Sequence, residues 1–256
     1  MQKEEELLRK RLLELSKIAS YRNFITYTDF LNLNELNILH TLPKDVLYTP
    51  YRTFGGYASS ERQIAAFLPD ALCLRSEAED LSYPMGIIHI MPRSRKFSEQ
   101  LSHRDYLGAL LSLGIERAKI GDIIVEEQGA FVFVSDKLLS YLCKELSQIR
   151  RTPVIACEEP FSEFSYSPKY EKITGTVASV RLDTLLSLAF ASSRSRLSPL
   201  IEAGKVFVNG KLITSNGYTL KENDVISVRG HGKFIYREII SQTKKGRLLV
   251  EIHKLI

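Results

Sequence analysis

The chain has 256 residues, 44% hydrophobic and 25% charged, with a formal net charge of +5, a balance that suits more than one folded domain and excludes wholesale disorder. Its longest apolar runs, such as YPMGIIHIM and RLLVEI, are far too short to span a membrane, and the charged start MQKEEELLRKRLLELSK lacks a signal-peptide core, so a cytoplasmic protein with no membrane span is expected. Cys73, Cys143 and Cys157 lie far apart without Cys-x-x-Cys or Cys/His ligand spacing, which leaves disulfide frameworks and zinc sites unsupported and points to buried free thiols.

The first element is an amphipathic helix in which Leu8, Leu12, Leu15 and Ile18 recur at helical spacing behind Glu4 to Glu6, acids that the helix dipole favours at a start. Residues 21–75 are mixed and are broken by the turn FGGY at 54–57, so 1–75 reads as a small helical and α/β segment.

Residues 76–165 read more regularly. GIIHIM (86–91) is a strand, HRDYLGALLSLG (103–114) a helix, DIIVE (122–126) and AFVFVS (130–135) two strands, DKLLSYLCKEL (136–146) a helix and TPVIAC (152–157) a strand. The order βαββαβ is the split-βαβ, ferredoxin-like or RRM-like pattern, which fixes an architecture and not a function. Phe131 and Phe133 alternate on one face of the third strand, where RNA-recognition domains stack bases. Without a second aromatic pair, core packing is the expected use. His103, Arg104 and Asp105 open a helix, where polar side chains cap free N–H groups, so capping is preferred to catalysis. Residues 166–180 follow as a linker.

The C-terminal stretch 181–256 holds 13 Lys and Arg against 6 Asp and Glu, net +7, which leaves 22 against 24, net −2, for residues 1–180. Such a surplus attracts phosphates and releases their counterions, making nucleic acid the leading partner class, although lysines that merely solvate a surface give the same count. RLDTLLSLAF sets Leu182, Leu185, Leu186 and Ala189 on one helical face, with Arg181 and Asp183 off it. Ser193 is placed to cap a second helix running to Ala203, with Leu197, Leu200 and Ile201 inward, Arg194 and Arg196 outward and Gly204 as its left-handed stop. Pro199 predicts a kink there. KVFVNGKLIT forms a hairpin around Asn209-Gly210. The next strand ends in Arg229, His231 and Lys233, interleaved with two glycines that let backbone approach a ligand closely. FIYREII and RLLVEIHKLI then meet at the basic turn TKKGR.

These residues resemble the S-four RNA-binding domain, named for small-subunit ribosomal protein four. Its motifs stand here as Arg-Leu-Asp at 181–183, Ser-Arg-Ser-Arg at 193–196, Leu-Ile-x-x-Gly-x-Val-x-Val-Asn-Gly at 200–210 and Asp-x-Ile-x-Val-Arg at 224–229. Asn223 stands where that domain usually has Gly, and Asn also tolerates a left-handed turn. The resemblance implies an α+β fold of several domains ending in an αL-type S-four module, in which Arg181, Arg194 and Arg196 carry most of the RNA contact. Ser195, Lys205, Asn209, Lys211, Arg229, His231 and Lys233 complete the expected surface, suited to phosphates and splayed bases. Lys254 is expected to stand outside it.

Nearly the whole chain, including FGGY and HRDYLGALLSLGIERAKIGDI, is similar to the YlmH family of bacterial proteins. That resemblance implies a non-catalytic RNA-binding protein of ribosome-associated quality control. Its implied partners are large-subunit rRNA, peptidyl-tRNA and the large ribosomal subunit, with a link to cell division and no cofactor or metal. The first alternative is an RNA-modifying enzyme targeted by the S-four domain. A pseudouridine synthase would need Gly-Arg-Leu-Asp downstream of that domain, yet the Arg-Leu-Asp at 181–183 lies inside it, and RGHGKF precedes a strand rather than the helix a methyltransferase loop requires. The second alternative is a division-linked scaffold that docks partners on the apolar face of its first helix.

Overall fold

A computed structural model describes residues 2–69, 81–94, 99–164, 166 and 169–255. The chain divides into two compact units, Met1–Tyr166 and Ser167–Ile256.

In the first unit, α1 (Gln2–Arg22) and α2 (Leu33–Thr41) accompany a three-stranded antiparallel sheet of β1 (Thr26–Tyr27), β2 (Tyr51–Phe54) and β3 (Ile64–Phe67), ordered β1-β3-β2. Leu12, Leu15 and Ala19 of α1 are buried against Leu36 and Leu39 of α2 and Phe67 of β3, while Ile18 is only half-buried. The apolar face offered to a scaffold partner is thus occupied by the protein's own core, the usual fate of such a stripe.

The same unit continues with β4 (Met85–Pro92), α3 (His103–Ser112), β5 (Ile120–Glu126), β6 (Gly129–Ser135), α4 (Leu139–Glu145), β7 (Gln148–Ile149) and β8 (Thr152–Glu159). Sheet order is β5-β6-β4-β8-β7, antiparallel throughout. Without the short β7, whose turn to β8 places Arg150 at φ 52°, this is the expected ferredoxin-like order. Leu110 and Leu142 from the helices meet Ile88, Ile90, Val132 and Val134 on one face. At the start of α3 the Ser102 N–H and hydroxyl both donate to Asp105 Oδ2, at 2.8 and 2.7 Å, so Asp105 serves the cap that its position suggested.

The other face of this sheet is covered from the N-terminal segment. Phe30 and Ile64 pack with Met85, Ile87, Ile124 and Phe133. FGGY supplies the close approach: Gly56 has φ 99°, and a Cβ there would overlap the Phe133 ring. Tyr57 follows with its ring centroid 5.5 Å from that of Phe133, and its hydroxyl donates to Asp122 Oδ2 at 2.8 Å. Burial and Asp122 together push the Tyr57 phenol pKa far up, so it stays a donor. Asp122 also accepts the N–H groups of Glu61 and Arg62. Residues on both sides of position 75 therefore share one core. The expectation of buried thiols is corrected: Cys143 is half-buried, Cys157 is exposed on β8, and Cys73 lies outside the described residues. Alternation along β8 explains it, since Val154 and Ala156 point to the core and Cys157 does not.

The second unit comprises β9 (Tyr170–Val177), α5 (Leu182–Ala189), α6 (Arg194–Glu202), β10 (Val206–Val208), β11 (Lys211–Leu212), β12 (Val225–Val228), β13 (Gly232–Gln242) and β14 (Leu248–Leu255). Its sheet runs β11-β10-β12-β13-β14-β9, antiparallel throughout. Both helices bury Leu182, Leu185, Leu186, Leu197 and Ile201 against Val206, Ile226, Phe234 and Ile252. Residues 170–177, expected within the linker, form an edge strand paired from Tyr170↔Leu255 to Val177↔Leu248. Only Ile173 and Val177 of this strand join the apolar cluster, so its polar sequence carries little periodic signal. Helix α6 runs from 194 to 202 with Pro199 inside it, the position at which the sequence predicts a kink.

Candidate nucleic-acid interface

Helix α5 starts from an extended Arg181, φ −101° and ψ 150°. The loop at 216–218 takes up the free N–H groups of its first turn: Leu182 N–H donates to Tyr218 O at 2.8 Å and Asp183 N–H to Asn216 O at 3.2 Å. Beneath this loop Asp183 is only 7% exposed, although helical periodicity puts it off the apolar face. Its partner is Arg181, whose Nε donates to Oδ1 at 3.1 Å and Nη2 to Oδ2 at 3.3 Å. The guanidinium lies beside Gly217, and the Arg181 side chain remains 46% exposed. Two donors of the fork are thereby fixed, and an arginine has five, so Arg181 is oriented with capacity left for an anion.

Helix α6 places Arg194, Ser195 and Arg196 in its first turn, all exposed. Ser193 holds the N-cap position with its carbonyl, which accepts from Arg196 and Leu197 N–H at 3.1 and 3.2 Å. Its hydroxyl makes no cap bond and lies 3.0 Å from Ser195 Oγ instead, so the expected side-chain cap is corrected to a hydroxyl pair. The tight connection from α5 turns through Ala191 at φ 45° and is tied by Ser187, whose hydroxyl donates to Ser192 O.

On the sheet side, Arg229 N–H donates to Lys205 O at 2.9 Å, which sets these two cations next to each other. The Arg229 guanidinium stands 5.2 Å over the ring of Phe207, a residue 1% exposed, and this cation–π contact leaves the fork edges outward. His231 meets Phe190 edge-on at 6.0 Å, and Lys254 Nζ lies 5.6 Å from the same ring. Lys254, expected outside the surface, therefore borders it, because Phe190 ends α5 beside the last strand. The sequence motifs assign no role to Phe190 or Phe207, and only their cationic neighbours mark them.

Asn209 has a different task. With φ 48° at Asn209 and 78° at Gly210, the hairpin has the two positive angles of a type I′ turn. Asn209 Nδ2 donates to Asp224 Oδ1 at 2.7 Å, and its Oδ1 accepts Val225 N–H at 2.9 Å. Asp224 Oδ2 accepts Lys221 N–H at 2.7 Å, and Asn223 takes the expected left-handed turn at φ 67°. The amide of Asn209 thus braces the hairpin, and Lys211 beside it is exposed. Lys233 is half-buried and pairs in register with Ser227 of β12. The predicted residues do not form one spot. Arg181 and Arg194 flank opposite ends of α5, whose eight residues span about 12 Å, while Lys205, Arg229 and His231 lie just beyond the ends of the interior strands β10, β12 and β13.

On the first unit's sheet, Phe133 is fully buried and Phe164 stands edge-on to both Phe131 and Phe133, each at 5.3 Å. Phe131 also stacks on His89 at 4.2 Å. The face on which an RNA-recognition domain stacks bases is here partly occupied by the chain itself. Among the described residues no group of three His, Cys, Asp or Glu is placed to hold a metal ion.

Comparison with known proteins agrees with this architecture. Residues 79–163 match the family "Putative RNA-binding domain in YlmH" and residues 180–226 match the S4 domain. The chain is 26% identical over 253 residues, 98% of its own length and 96% of the relative's, to ribosome-associated protein quality control protein P2 of Bacillus subtilis. It is 33% identical over 102 residues to small ribosomal subunit protein uS4 of Lachnospira eligens, covering 37% of this chain and about half, 51%, of that protein. Its fold resembles cell division protein ylmH from Streptococcus pneumoniae, with a TM-score of 0.51 and 24% identity over 62% of this chain and 93% of that one. The chain carries the domain pair of the YlmH family, a YlmH-type RNA-binding domain followed by an S4 domain.

Proposed function

We propose that the protein is a non-catalytic, cytoplasmic RNA-binding factor that associates with the large ribosomal subunit through rRNA and peptidyl-tRNA, in ribosome-associated quality control. The observation that supports this reading best is the exposed cationic surface of the second unit, where Arg181 is oriented by Asp183 and Arg229 by Phe207. Preset arginine forks suit phosphate better than mobile lysines do. The relative matched over nearly the full length is named for ribosome-associated quality control. A direct division partner has less support, since the α1 face is buried within its own unit.

Co-sedimentation with separated ribosomal subunits tests the proposal. The parent is expected with large subunits, more when peptidyl-tRNA is retained, because simultaneous contact with two RNAs raises avidity. Arg194→Glu with Arg196→Glu should remove the association, and both side chains are exposed, so circular dichroism should be unchanged. Arg181 stays unaltered in that variant because its loss would strand the buried Asp183. Undiminished sedimentation of the double variant would remove this surface as the ribosome anchor.

A further inference from the structure

The hairpin of β13 and β14 carries the basic turn that the RNA-binding motif does not absorb, and it lies beyond the residues matched to the S4 domain. Its neighbour β12 pairs with β13 only from Gly232 to Ile235, whereas β14 and β9 accompany the hairpin to its tip, Gln242↔Leu248↔Val177. That tip is a built turn. Thr243 N–H donates to Arg247 O at 2.7 Å, Gly246 N–H to Thr243 O at 2.9 Å and Arg247 N–H to Thr243 Oγ1 at 3.0 Å, with Gly246 at φ 76°. Arg247 is anchored across to β9 through Nη2 to Thr176 O at 2.8 Å. Lys244 and Lys245 on this frame are exposed. No Asp or Glu occurs between Glu238 and Glu251, nor between Glu171 and Asp183, so these three paired strand ends carry Lys244, Lys245 and Arg247 and no carboxylate of their own. The tip also neighbours the proposed RNA-contact cations: Val177 pairs with Leu248, and Arg181 follows four residues later, within about 14 Å of extended chain.

We infer that Lys244 and Lys245 form a second phosphate-contact site for RNA, on a rigid turn beside Arg181 and separate from the α6 and β10 cations. The inference rests on the RNA-binding reading and adds the direction in which bound RNA continues, past Arg181 and along the end of β9 and β14. A preformed turn loses little entropy on binding, which favours phosphate contact over a mobile tail carrying the same charge.

The test is a salt titration of the full chain with a duplex stem-loop RNA, since phosphate contacts act on any sequence. Lys244→Gln with Lys245→Gln should lower the slope of log affinity against log salt by about 1.8, at about 0.9 per phosphate. The double substitution to Arg should keep the parent slope. Bound RNA should also protect both lysines of the parent from amine acylation, read by mass spectrometry. An unchanged slope in the Gln variant, with the parent binding RNA, overturns this inference alone. Loss of slope in the Arg variant as well would trace the effect to turn shape and overturn it too. A parent without salt-dependent binding overturns the RNA reading itself. Lysine-dependent binding to phosphatidylglycerol vesicles with an unaltered RNA slope would assign the turn to a lipid surface instead.

Discussion

Arg181 donates through two nitrogens to both carboxylate oxygens of Asp183, two residues further along and buried beneath the 216–218 loop. The pair joins a recognition residue to the start of α5. Asp183→Ala should lower stability by about 1–2 kcal/mol, because it removes a charge-assisted bond. It should also weaken RNA binding, because the fork loses its orientation. Their coupling in a double-mutant cycle with Arg181→Ala should be clearly above zero yet no more than about 1 kcal/mol, since Asp183 is buried while Arg181 is nearly half exposed and screened. Additive effects in urea denaturation, within error, would show that the two residues act independently.

Two glycines of the first unit make a matched pair. Gly56 has φ 99° and faces the Phe133 ring without space for a methyl group, whereas Gly108 lies within α3 with nothing within 4 Å of a Cβ. Gly56→Ala should destabilise the protein by about 1–3 kcal/mol through strain and overpacking. Gly108→Ala should stabilise it by about 0.5–1 kcal/mol through helix propensity. Thermal melting of both variants checks the contrast, and equal shifts would remove the close approach of FGGY as the tie across the first unit.

The parts of the fold that announce themselves in sequence are those with strong period or obligatory turns. The βαββαβ order, Gly204 as a left-handed stop and Asn209-Gly210 as a hairpin turn all follow from such signals. Tyr170–Val177 does not, because its inward face carries only Ile173 and Val177 as apolar side chains, with Gly175 between them and Glu171 before, too short a pattern to read as a strand. Among the cationic positions, motif spacing points to Arg181, Arg194 and Arg196 but cannot show that Asp183 is a buried partner or that Asn209 is occupied by Asp224. Those relations join residues through loops whose path depends on the tertiary fold. Lys254 is invisible for the same reason: it reaches Phe190 only after β14 has crossed the sheet.

The surface cations should differ in their effect on RNA. Arg194→Ala, at an exposed helix start, should lower the salt slope by about one unit if it neutralises one phosphate. Lys254→Ala should weaken binding less, since its ammonium already lies over Phe190, yet more than a substitution remote from His231 such as Lys221→Ala. Fluorescence polarisation across a salt series separates the three. A common effect for all of them would mean that diffuse charge, and not placement, governs binding.

Glu251 provides a pH test of the sheet. Its carboxylate accepts from Lys172 Nζ at 2.7 Å and lies 2.8 Å from His253 Nε2, and the Tyr170 ring stacks on His253 at 3.9 Å. The hydrogen bonds from Lys172 and then His253 hold the Glu251 pKa below its ordinary value. A carboxylate depressed in the folded state binds protons more readily when unfolded, so its contribution is fully present above the unfolded carboxylate range. It is lost as pH falls through that range to the folded value. Glu251→Gln removes this titration. The parent should therefore lose stability on acidification more steeply than the Gln variant, with the difference between them narrowing below the carboxylate range. Denaturation midpoints of both proteins from neutral to acid pH read this directly, and parallel profiles would show that Glu251 is not held by its two neighbours in solution.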